Sequence, residues 1–320
     1  MKAIKKVIAK PVGNLGLDYD AIVIGAGISG LYQLLKLREA GLKVRVFEAG
    51  TGVGGTWYWN RYPGARFDSE SYSYAYSFSE ELLEEWDWSE HFASQPEILR
   101  YLQHVANKFD LLKDIQFSSN VKSASFNGKS RNWEITLSDG RTYRSRFLIT
   151  GVGNISQPTM PTIQGMESFM GPSFHTARWP HDPIDFTEKK VAVVGTGASG
   201  VQVIQEICKN VAQLTVFQRR PNWCTPLQNA KIDHEEMEKI ISVSSCEWNN
   251  FSTVCDINLG ERITKKSNHI DNGDYYVYVD GYDPDVADSV KGYLPVLIDE
   301  SSVQNNGDDL YSSFIVYVTE

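Results

Sequence analysis

The chain has 320 residues, of which 42% are hydrophobic, and its formal net charge is −9. This length favours two domains, and the hydrophobic content is compatible with a packed core. The charge is uneven: residues 231–320 contain 18 acidic and 6 basic residues, a net −12, whereas residues 1–230 carry +3. This balance argues against a nucleic-acid-binding surface, which is typically basic. The acidic part is interpreted as solvated surface. The alternative is that the uneven charge has a function, because the near-neutral residues 1–230 tolerate anionic ligands.

No run of 18 apolar residues occurs, so a membrane-spanning helix is not expected. The N-terminus is basic but lacks the apolar stretch of a secretory signal, and residues 1–16 are predicted to form a flexible tail. The four cysteines form no Cys-x-x-Cys pair and have no histidine at metal spacing, so the sequence predicts no metal site. Reduced thiols in a cytoplasmic protein are the expected state.

A short apolar run, a glycine loop and a helical pattern follow one another near the start of the chain. Residues 20–24 are typical of a buried parallel strand, and the loop Gly25-Ala-Gly-Ile-Ser-Gly30 comes directly after them. Gly41 ends the helical pattern, residues 43–47 form a second apolar run, and Glu48 stands at its end. This order predicts a Rossmann-type β-α-β unit that binds a dinucleotide.

Each residue type in this loop has a specific task in such a unit. Gly25 permits a tight turn, Gly27 lets a pyrophosphate approach the backbone, and Gly30 lets the helix pack closely on the strand. Ser29 lies at the helix N-terminus, where N–H groups face the phosphates. Glu48 is predicted to accept hydrogen bonds from ribose hydroxyls and to repel a 2′-phosphate, which favours FAD or NAD over NADP. The alternative is a glycine-rich turn without a ligand.

A second unit of the same kind begins near residue 190. Residues 190–194 and 214–217 are predicted strands on either side of a glycine loop and a helix over residues 201–208. At the end of the second strand, Arg219 and Arg220 occupy the region where the first unit carries Glu48. Because arginine pairs well with a 2′-phosphate, the second unit is predicted to bind NADP(H). The alternative is an arginine pair on a solvated loop. The predicted NADP(H) contacts are Gly195, Thr196, Gly197, Ser199, Gly200, Val203, Arg219 and Arg220.

Prolines and glycines punctuate the stretch between the two units, which is therefore predicted to be an extended connector. It contains the pattern F-x-G-x-x-x-H-T-x-x-W-P from Phe169 to Pro180. This pattern resembles the fingerprint of Baeyer–Villiger monooxygenases, flavoenzymes that insert oxygen next to a ketone carbonyl. The resemblance runs from about residue 18 to about residue 229. It also includes Gly54-Gly-Thr-Trp57, Gly64-Ala-Arg-Phe-Asp68 and Val216-Phe-Gln-Arg219.

The resemblance implies a cofactor for each unit, FAD for the first and NADP(H) for the second. It also implies that Asp68 lies near the flavin and orients a catalytic arginine, which the sequence does not identify. Gly171, His175 and Trp179 would couple the two domains. On the residues alone, Asp68 could equally be a turn acid and the aromatics after Gly55 an aromatic-rich core loop. The residues implied to contact FAD are Gly25, Gly27, Ser29, Gly30, Glu48, Gly55, Thr56, Trp57, Asp68, Tyr74 and Val121.

The implied activity is oxidation of a ketone to an ester or lactone with O2 and NADPH, through a flavin peroxide. Related flavin-containing N- or S-monooxygenases share the two-loop plan and remain an alternative. A truncated, catalytically silent dinucleotide-binding relative is another, because the family pattern ends after about residue 232. Neither the ketone nor an oligomeric state follows from the sequence, and Arg262 is too weakly aligned to be assigned as the missing arginine.

The sequence therefore predicts an α/β protein with two Rossmann-like domains, the second incomplete. A helix is expected to begin after Ser94, which caps it in a box with Glu97, with Pro96 in its first turn. Strands near residues 115–118, 121–126, 133–137 and 142–150 predict a small β insertion in the first domain, and residues 275–279 and 314–318 predict further strands. The predicted parts are the tail 1–16, an FAD-binding domain 17–155, a connector 156–182, an NADP-binding half 183–235 and an unassigned acidic segment 236–320.

Overall fold

The computed structural model describes residues 16–219, 222, 224 and 226–238, together with the backbone of residues 315–319. The predicted tail up to residue 15, Arg220, Arg262 and the predicted strand 275–279 lie outside the described residues. The chain divides into two compact units. The first comprises Met1–Arg66, Ser94–Phe217 and Ser313–Glu320, and the second comprises Phe67–Ala93 and Gln218–Ser312. The first unit therefore contains both glycine loops.

A six-stranded mixed sheet forms the first half of the first unit. Its strand order is β3-β2-β1-β6-β5-β4, in which β1, β2, β3 and β6 run parallel, β5 pairs antiparallel with β6, and β4 pairs antiparallel with β5. The antiparallel strands are the predicted β insertion, but they extend the main sheet instead of forming a separate one. The strands are β1 (Tyr19–Ile24), β2 (Val44–Phe47), β3 (Ile115–Gln116), β4 (Val121–Asn127), β5 (Asn132–Leu137) and β6 (Thr142–Thr150).

The long strand β6 joins the parallel and antiparallel parts of this sheet. Its first residues pair with β5, and from Ser145 onward it pairs with β1 in parallel. The apolar run Phe147–Ile149 lies opposite Ala21–Val23, whose side chains are completely buried. This strand returns the chain to the sheet that carries the first glycine loop.

Helices α1, α4 and α5 lie at positions that the sequence patterns indicate, whereas the short helix α2 was not predicted. Helix α1 ends at Glu39, and Gly41, which has φ +80°, follows the capping residue Ala40. Helix α4 begins after Ser94 and has Pro96 in its first turn, but the Ser94 side chain makes no capping hydrogen bond, so the predicted capping box is wrong in that respect. The bounds are α1 (Ile28–Glu39), α2 (Thr56–Trp59), α4 (Gln95–Lys108) and α5 (Ala198–Ile207); α3 (Glu80–Glu85) belongs to the second unit.

A smaller, four-stranded sheet forms the other half of the first unit, with the order β7-β10-β8-β9. Strands β8 and β9 are parallel, as a dinucleotide-binding unit requires, whereas β10 is antiparallel to both β7 and β8. The predicted strand 314–318 is thus realised, shifted by one residue. The strands are β7 (Ser173–His175), β8 (Lys190–Val194), β9 (Gln213–Phe217) and β10 (Ile315–Thr319).

The second sheet and α5 pack on an apolar cluster that includes the connector. Trp179 is 7% exposed and contacts Phe174 and Phe186, with ring centroids 5.5 Å and 6.2 Å away. Burying each large apolar side chain contributes about 2 kcal/mol. Trp179 therefore anchors the connector in this cluster. The buried cluster comprises Tyr62, Ala65, Trp179, Phe186, Val191, Val193, Val203 and Ile207.

The second unit is held by hydrogen bonds between residues far apart in sequence. The Asn229 side chain donates to the Glu90 carboxylate at 2.6 Å and accepts from the Phe92 backbone N–H at 2.9 Å. The Ser71 hydroxyl, which is buried, accepts from the Ala93 N–H at 2.9 Å.

Among the described helices, none has the length and hydrophobicity that a bilayer crossing requires. The described residues also contain no cluster of three or more His, Cys, Asp or Glu side chains arranged to hold a metal ion.

Candidate functional site

The first glycine loop connects β1 to α1 in a conformation that only glycine can adopt. The Gly25 N–H donates to the Phe47 carbonyl at 2.8 Å, which ties the loop to the end of β2. Gly25 has φ +97°, and a Cβ atom there would lie 2.6 Å from the Gly151 carbonyl oxygen. A side chain at this position is therefore excluded both by the backbone conformation and by a neighbouring strand.

Gly30 lies where α1 passes closest to the loop. A Cβ atom on Gly30 would lie 1.8 Å from the Gly25 carbonyl oxygen, well inside any contact distance. The close packing predicted for the third glycine is therefore present. Helix α1 has no acidic residue in its first turn and no side chain capping its N-terminus.

Gly27 packs against Gly55, which brings the two predicted glycine motifs together. A Cβ atom on Gly27 would lie 3.2 Å from the Gly55 Cα, and one on Gly55 would lie 2.8 Å from the Gly27 Cα. The Gly54 N–H also donates to the Ala26 carbonyl at 3.0 Å. The two loops thus form one backbone surface, without side chains at its centre, at the N-terminus of α1. Its bare backbone suits a pyrophosphate.

Glu48 joins this surface from the end of β2. Its carboxylate is 5% exposed; Oε2 accepts from the Ala26 N–H and Oε1 from the Gly50 N–H, both at 2.7 Å. Each carboxylate oxygen has a second lone pair, so a ribose hydroxyl can still donate to it. Its predicted contact with a ribose stays a prediction. A role that the spacing did not indicate is that Glu48 links the first glycine loop to the segment after β2.

The aromatic residues of α2 are part of the core instead of an open wall. Trp57 and Tyr58 are 7% and 8% exposed. The Tyr58 hydroxyl lies 2.8 Å from the Thr51 hydroxyl and accepts from the Thr51 N–H, while the Gln95 side chain donates to the Trp57 carbonyl. This favours the core-loop interpretation for Trp57 and Tyr58. Thr56, the first residue of α2, is half-buried, as is Val121 at the start of β4, and Ser29 is exposed.

The fingerprint residue His175 ends β7, and its ring is held by the backbone. Nδ1 accepts from the Ala177 N–H at 3.1 Å, which places the ring proton on Nε2. Nε2 is buried and has no partner at hydrogen-bond geometry among the described residues. Burial lowers the pKa of His175, the nearby Thr159 backbone opposes this, and the Arg178 charge lowers it further. The lowered pKa favours the neutral form of His175, and its implied role in coupling the two domains stays a prediction.

The connector also contacts the segment that follows the first glycine surface, through residues that the sequence did not single out. Arg178 lies over the Trp59 ring at 4.7 Å and donates to the Ser156 carbonyl at 2.9 Å. Arg61 lies 2.9 Å from His181 Nδ1. Burial lowers the pKa of both arginines. Each of the two segments contains a tryptophan and an arginine close together in sequence, and this was the available signal for these contacts. Which side chains pair depends on how the chain folds. Gly171, at the start of the same stretch, is half-buried.

The second glycine loop repeats the geometry of the first. The Gly195 N–H donates to the Phe217 carbonyl at 2.8 Å, as the Gly25 N–H does to the Phe47 carbonyl. The first turn of α5 closes with a bond of 3.0 Å from Val201 to Gly197, the counterpart of one of 2.9 Å in α1. Thr196 and Ser199 are half-buried within this loop, and Gly200 is buried. The loop is therefore built as the sequence predicts.

One predicted NADP(H) contact of the second loop is wrong. The side chain of Val203 is apolar and completely buried in the cluster under α5, so it cannot reach a ligand. The neighbouring polar side chain on α5 is Gln202, which binds the Tyr62 hydroxyl and the Arg66 carbonyl. Periodicity could have shown this, because Val203 and Ile207 lie four residues apart on one helix face.

The remaining predicted site residues belong to the second unit. Asp68 is exposed, and Tyr74 packs edge-on against Phe67 with ring centroids 3.9 Å apart. Arg219, two residues after β9, is exposed as well. The exposure of Asp68 and Arg219 is compatible with ligand contact, and their assignments stay predictions. Arg220 lies outside the described residues.

Comparison with known proteins places most of the described chain in one family. Residues 20–245 match the flavin-binding monooxygenase-like family. The chain is 48% identical over 218 residues to acetone monooxygenase (methyl acetate-forming) from Gordonia sp. (strain TY-5), covering 68% of this chain and 41% of that protein. It is 46% identical over 222 residues to phenazine N-monooxygenase PhzNO1 from Lysobacter antibioticus, covering 69% and 41%.

A solved structure agrees with these relatives. A crystal structure of OTEMO in complex with FAD and NADP matches with a TM-score of 0.68 and 47% identity, over 71% of this chain and 44% of that one. The chain thus spans less than half the length of the relatives it matches. The fold class and the resemblance to Baeyer–Villiger monooxygenases that the motifs indicate are confirmed. The chain belongs to the flavin-binding monooxygenase-like family.

Proposed function

We propose that the first glycine surface binds FAD and the second glycine loop binds NADP(H), and that the chain forms the cofactor-binding part of a Baeyer–Villiger monooxygenase. The observation that carries this proposal is the repeated loop geometry with different residues after the second strand. Both loops are anchored by a bond of 2.8 Å from the first glycine to the end of the neighbouring strand. One strand is followed by Glu48 and the other by Gln218 and Arg219.

The first surface fits a dinucleotide without a 2′-phosphate. The contact between Gly27 and Gly55 leaves bare backbone at the N-terminus of α1, which suits the pyrophosphate of FAD. The buried carboxylate of Glu48 stands beside this surface and would repel a 2′-phosphate. The structure of the relative in complex with FAD and NADP supports FAD as this dinucleotide.

The second loop fits NADP(H) because the charge after its strand is reversed. Gln218 follows β9 directly, in the place that Glu48 holds after β2, and Arg219 comes next. The guanidinium group of arginine can donate two parallel hydrogen bonds to a phosphate. A 2′-phosphate is therefore favoured here and disfavoured at the first loop, so the two sites would take different cofactors.

The reaction would consume one ketone, one O2, one NADPH and one proton and give an ester or lactone, one water and NADP+. FAD, when bound, supplies the hydride acceptance and the oxygen activation that amino-acid side chains lack. The chain's own residues bind and orient the cofactors: Glu48 and the glycines hold the first loop, and Arg219 recognises the 2′-phosphate. We propose that Asp68 orients a catalytic arginine, which has not been identified in this chain. We propose that His175, in its neutral form, is part of the connector that joins the two folds.

A second candidate is N-oxygenation, which the 46% identity to a phenazine N-monooxygenase favours. The 48% identity to an acetone monooxygenase that forms methyl acetate favours the ketone reaction. Product analysis with a cyclic ketone, a thioether and an aromatic N-heterocycle separates the two. We expect lactone as the main product, whereas N-oxide or sulfoxide without lactone would contradict the Baeyer–Villiger assignment.

Cofactor binding is tested on the purified protein before any product is sought. After incubation with FAD and gel filtration, the protein should retain flavin, and NADPH should bleach its visible absorbance in the absence of oxygen. Retained flavin with no bleaching by NADPH would contradict the assignment of the second loop. No retained flavin would contradict the assignment of the first.

A further inference from the structure

The side chain of Gln202 joins the two dinucleotide-binding folds. Gln202 lies in the second turn of α5, which begins directly after the second glycine loop. Its Oε1 accepts from the Tyr62 hydroxyl at 2.8 Å, and its Nε2 donates to the Arg66 carbonyl at 2.9 Å. Both ends of the amide therefore bind residues 62–66, the segment that follows α2.

The backbone of this segment is in direct contact with α5. Gly64 has φ +79°, and a Cβ atom there would lie 2.6 Å from the Gln202 carbonyl oxygen and 2.7 Å from Glu206 Cγ. Tyr62 and Ala65 are buried in the same cluster as the inner face of α5. The segment thus has no room to shift along the helix, and the two hydrogen bonds of Gln202 fix its register.

The joint lies on a short chain of contacts from one glycine loop to the other. Gly27 of the first loop abuts Gly55, which is the N-cap of α2. Helix α2 leads into residues 62–66, which are bound to Gln202 on α5. Helix α5 in turn begins one residue after Gly197 of the second loop. A change in the joint therefore alters the distance between the two loops without touching either.

We propose that Gln202 is a positioning residue that sets the separation of the two cofactors for hydride transfer. This inference rests on the proposed function. In the step concerned, a hydride with its two electrons leaves NADPH, giving NADP+ and reduced flavin. Transfer requires the two rings in contact, and a misplacement of about 1 Å costs on the order of 100-fold in rate. Gln202 acts through the backbone of residues 62–66 and touches neither reacting atom.

The test separates cofactor binding from hydride transfer in the FAD-loaded protein. Gln202→Leu removes both hydrogen bonds at similar volume, and we expect the affinities for FAD and NADP+ to change less than threefold while the anaerobic rate of flavin reduction by NADPH falls about tenfold or more. Tyr62→Phe removes one of the bonds and should lower the rate less. Gln205→Leu, an exposed glutamine of the same helix, is the matched control and should leave both quantities unchanged.

A second readout does not depend on turnover. Binding of NADP+ to the oxidised, FAD-loaded protein should perturb the visible flavin spectrum when the rings meet, and Gln202→Leu should reduce this perturbation at saturating NADP+. A reduction rate and a spectral change in Gln202→Leu equal to those of the Gln205→Leu control would overturn the role of Gln202. If Gln202→Leu does not fold, Tyr62→Phe decides by the same criteria. A wild-type protein that retains no flavin would instead overturn the proposed function, and this inference with it.

Discussion

The replacement Glu48→Gln tests whether the first cofactor surface is formed before its ligand binds. The Glu48 carboxylate accepts backbone N–H bonds of 2.7 Å from both Ala26 and Gly50. Glutamine keeps one acceptor oxygen and presents an NH2 group to the other N–H, so one bond is lost and a repulsive donor pair replaces it. A hydrogen bond to a charged group contributes about 1.5–3 kcal/mol, so we expect Glu48→Gln to lower the free energy of unfolding by about 3 kcal/mol.

The assay is urea denaturation of the protein freed of FAD, followed by measurement of the FAD dissociation constant. Glu39→Gln is the control, because Glu39 is exposed and its ion pair with Lys36 contributes less than about 0.5 kcal/mol. We expect Glu48→Gln to destabilise the FAD-free protein and also to weaken FAD binding. If the FAD-free protein carrying Glu48→Gln were as stable as the Glu39→Gln control, Glu48 would not hold the loops.

Further predictions concern packing, protonation and specificity. Gly30→Ala should destabilise the protein by about 3 kcal/mol, because its Cβ would lie 1.8 Å from a carbonyl oxygen, whereas Gly128→Ala meets nothing within 4 Å and should be neutral; thermal melts of the pair check this. Burial lowers the pKa of His175 below 6.5, so His175 is protonated at a higher pH in the unfolded chain than in the folded one. The free energy of unfolding should therefore decrease as the pH falls below about 6.5. His175→Gln should flatten that slope in denaturation curves measured across pH, and an unchanged slope would contradict the assignment. Arg219→Ala should reduce the preference for NADPH over NADH about tenfold or more, measured as the ratio of kcat/KM values; an unchanged ratio would place the 2′-phosphate elsewhere.

Local patterns predicted the parts of the fold that depend on neighbouring residues. The tight turn at Gly25, the close packing at Gly30 and the acid after β2 all follow from one β-α-β unit. The sequence also placed β8, α5 and β9 correctly, because the same unit recurs. What it could not show was the second role of Glu48, since the geometry of both N–H groups depends on how two separate loops meet.

Contacts between the two folds lay beyond sequence reasoning for a physical reason. The bonds of Gln202 to Tyr62 and Arg66 join residues 140 and 136 positions apart, and no local periodicity encodes such pairs. The wrong assignment of Val203 has a related cause: a glycine-loop motif fixes the start of α5, but the packing of its inner face decides which side chains reach a ligand. The stacking of Arg178 on Trp59 likewise depends on the connector folding back onto α2.

Anaerobic mixing of the FAD-loaded protein with NADPH requires both glycine loops to bind the proposed cofactors at the correct separation. We expect one equivalent of NADPH to bleach the visible flavin absorbance and NADH to act much more slowly. If the protein retains FAD but is not bleached by NADPH, or is bleached equally well by NADH, the two loops do not bind FAD and NADPH as proposed.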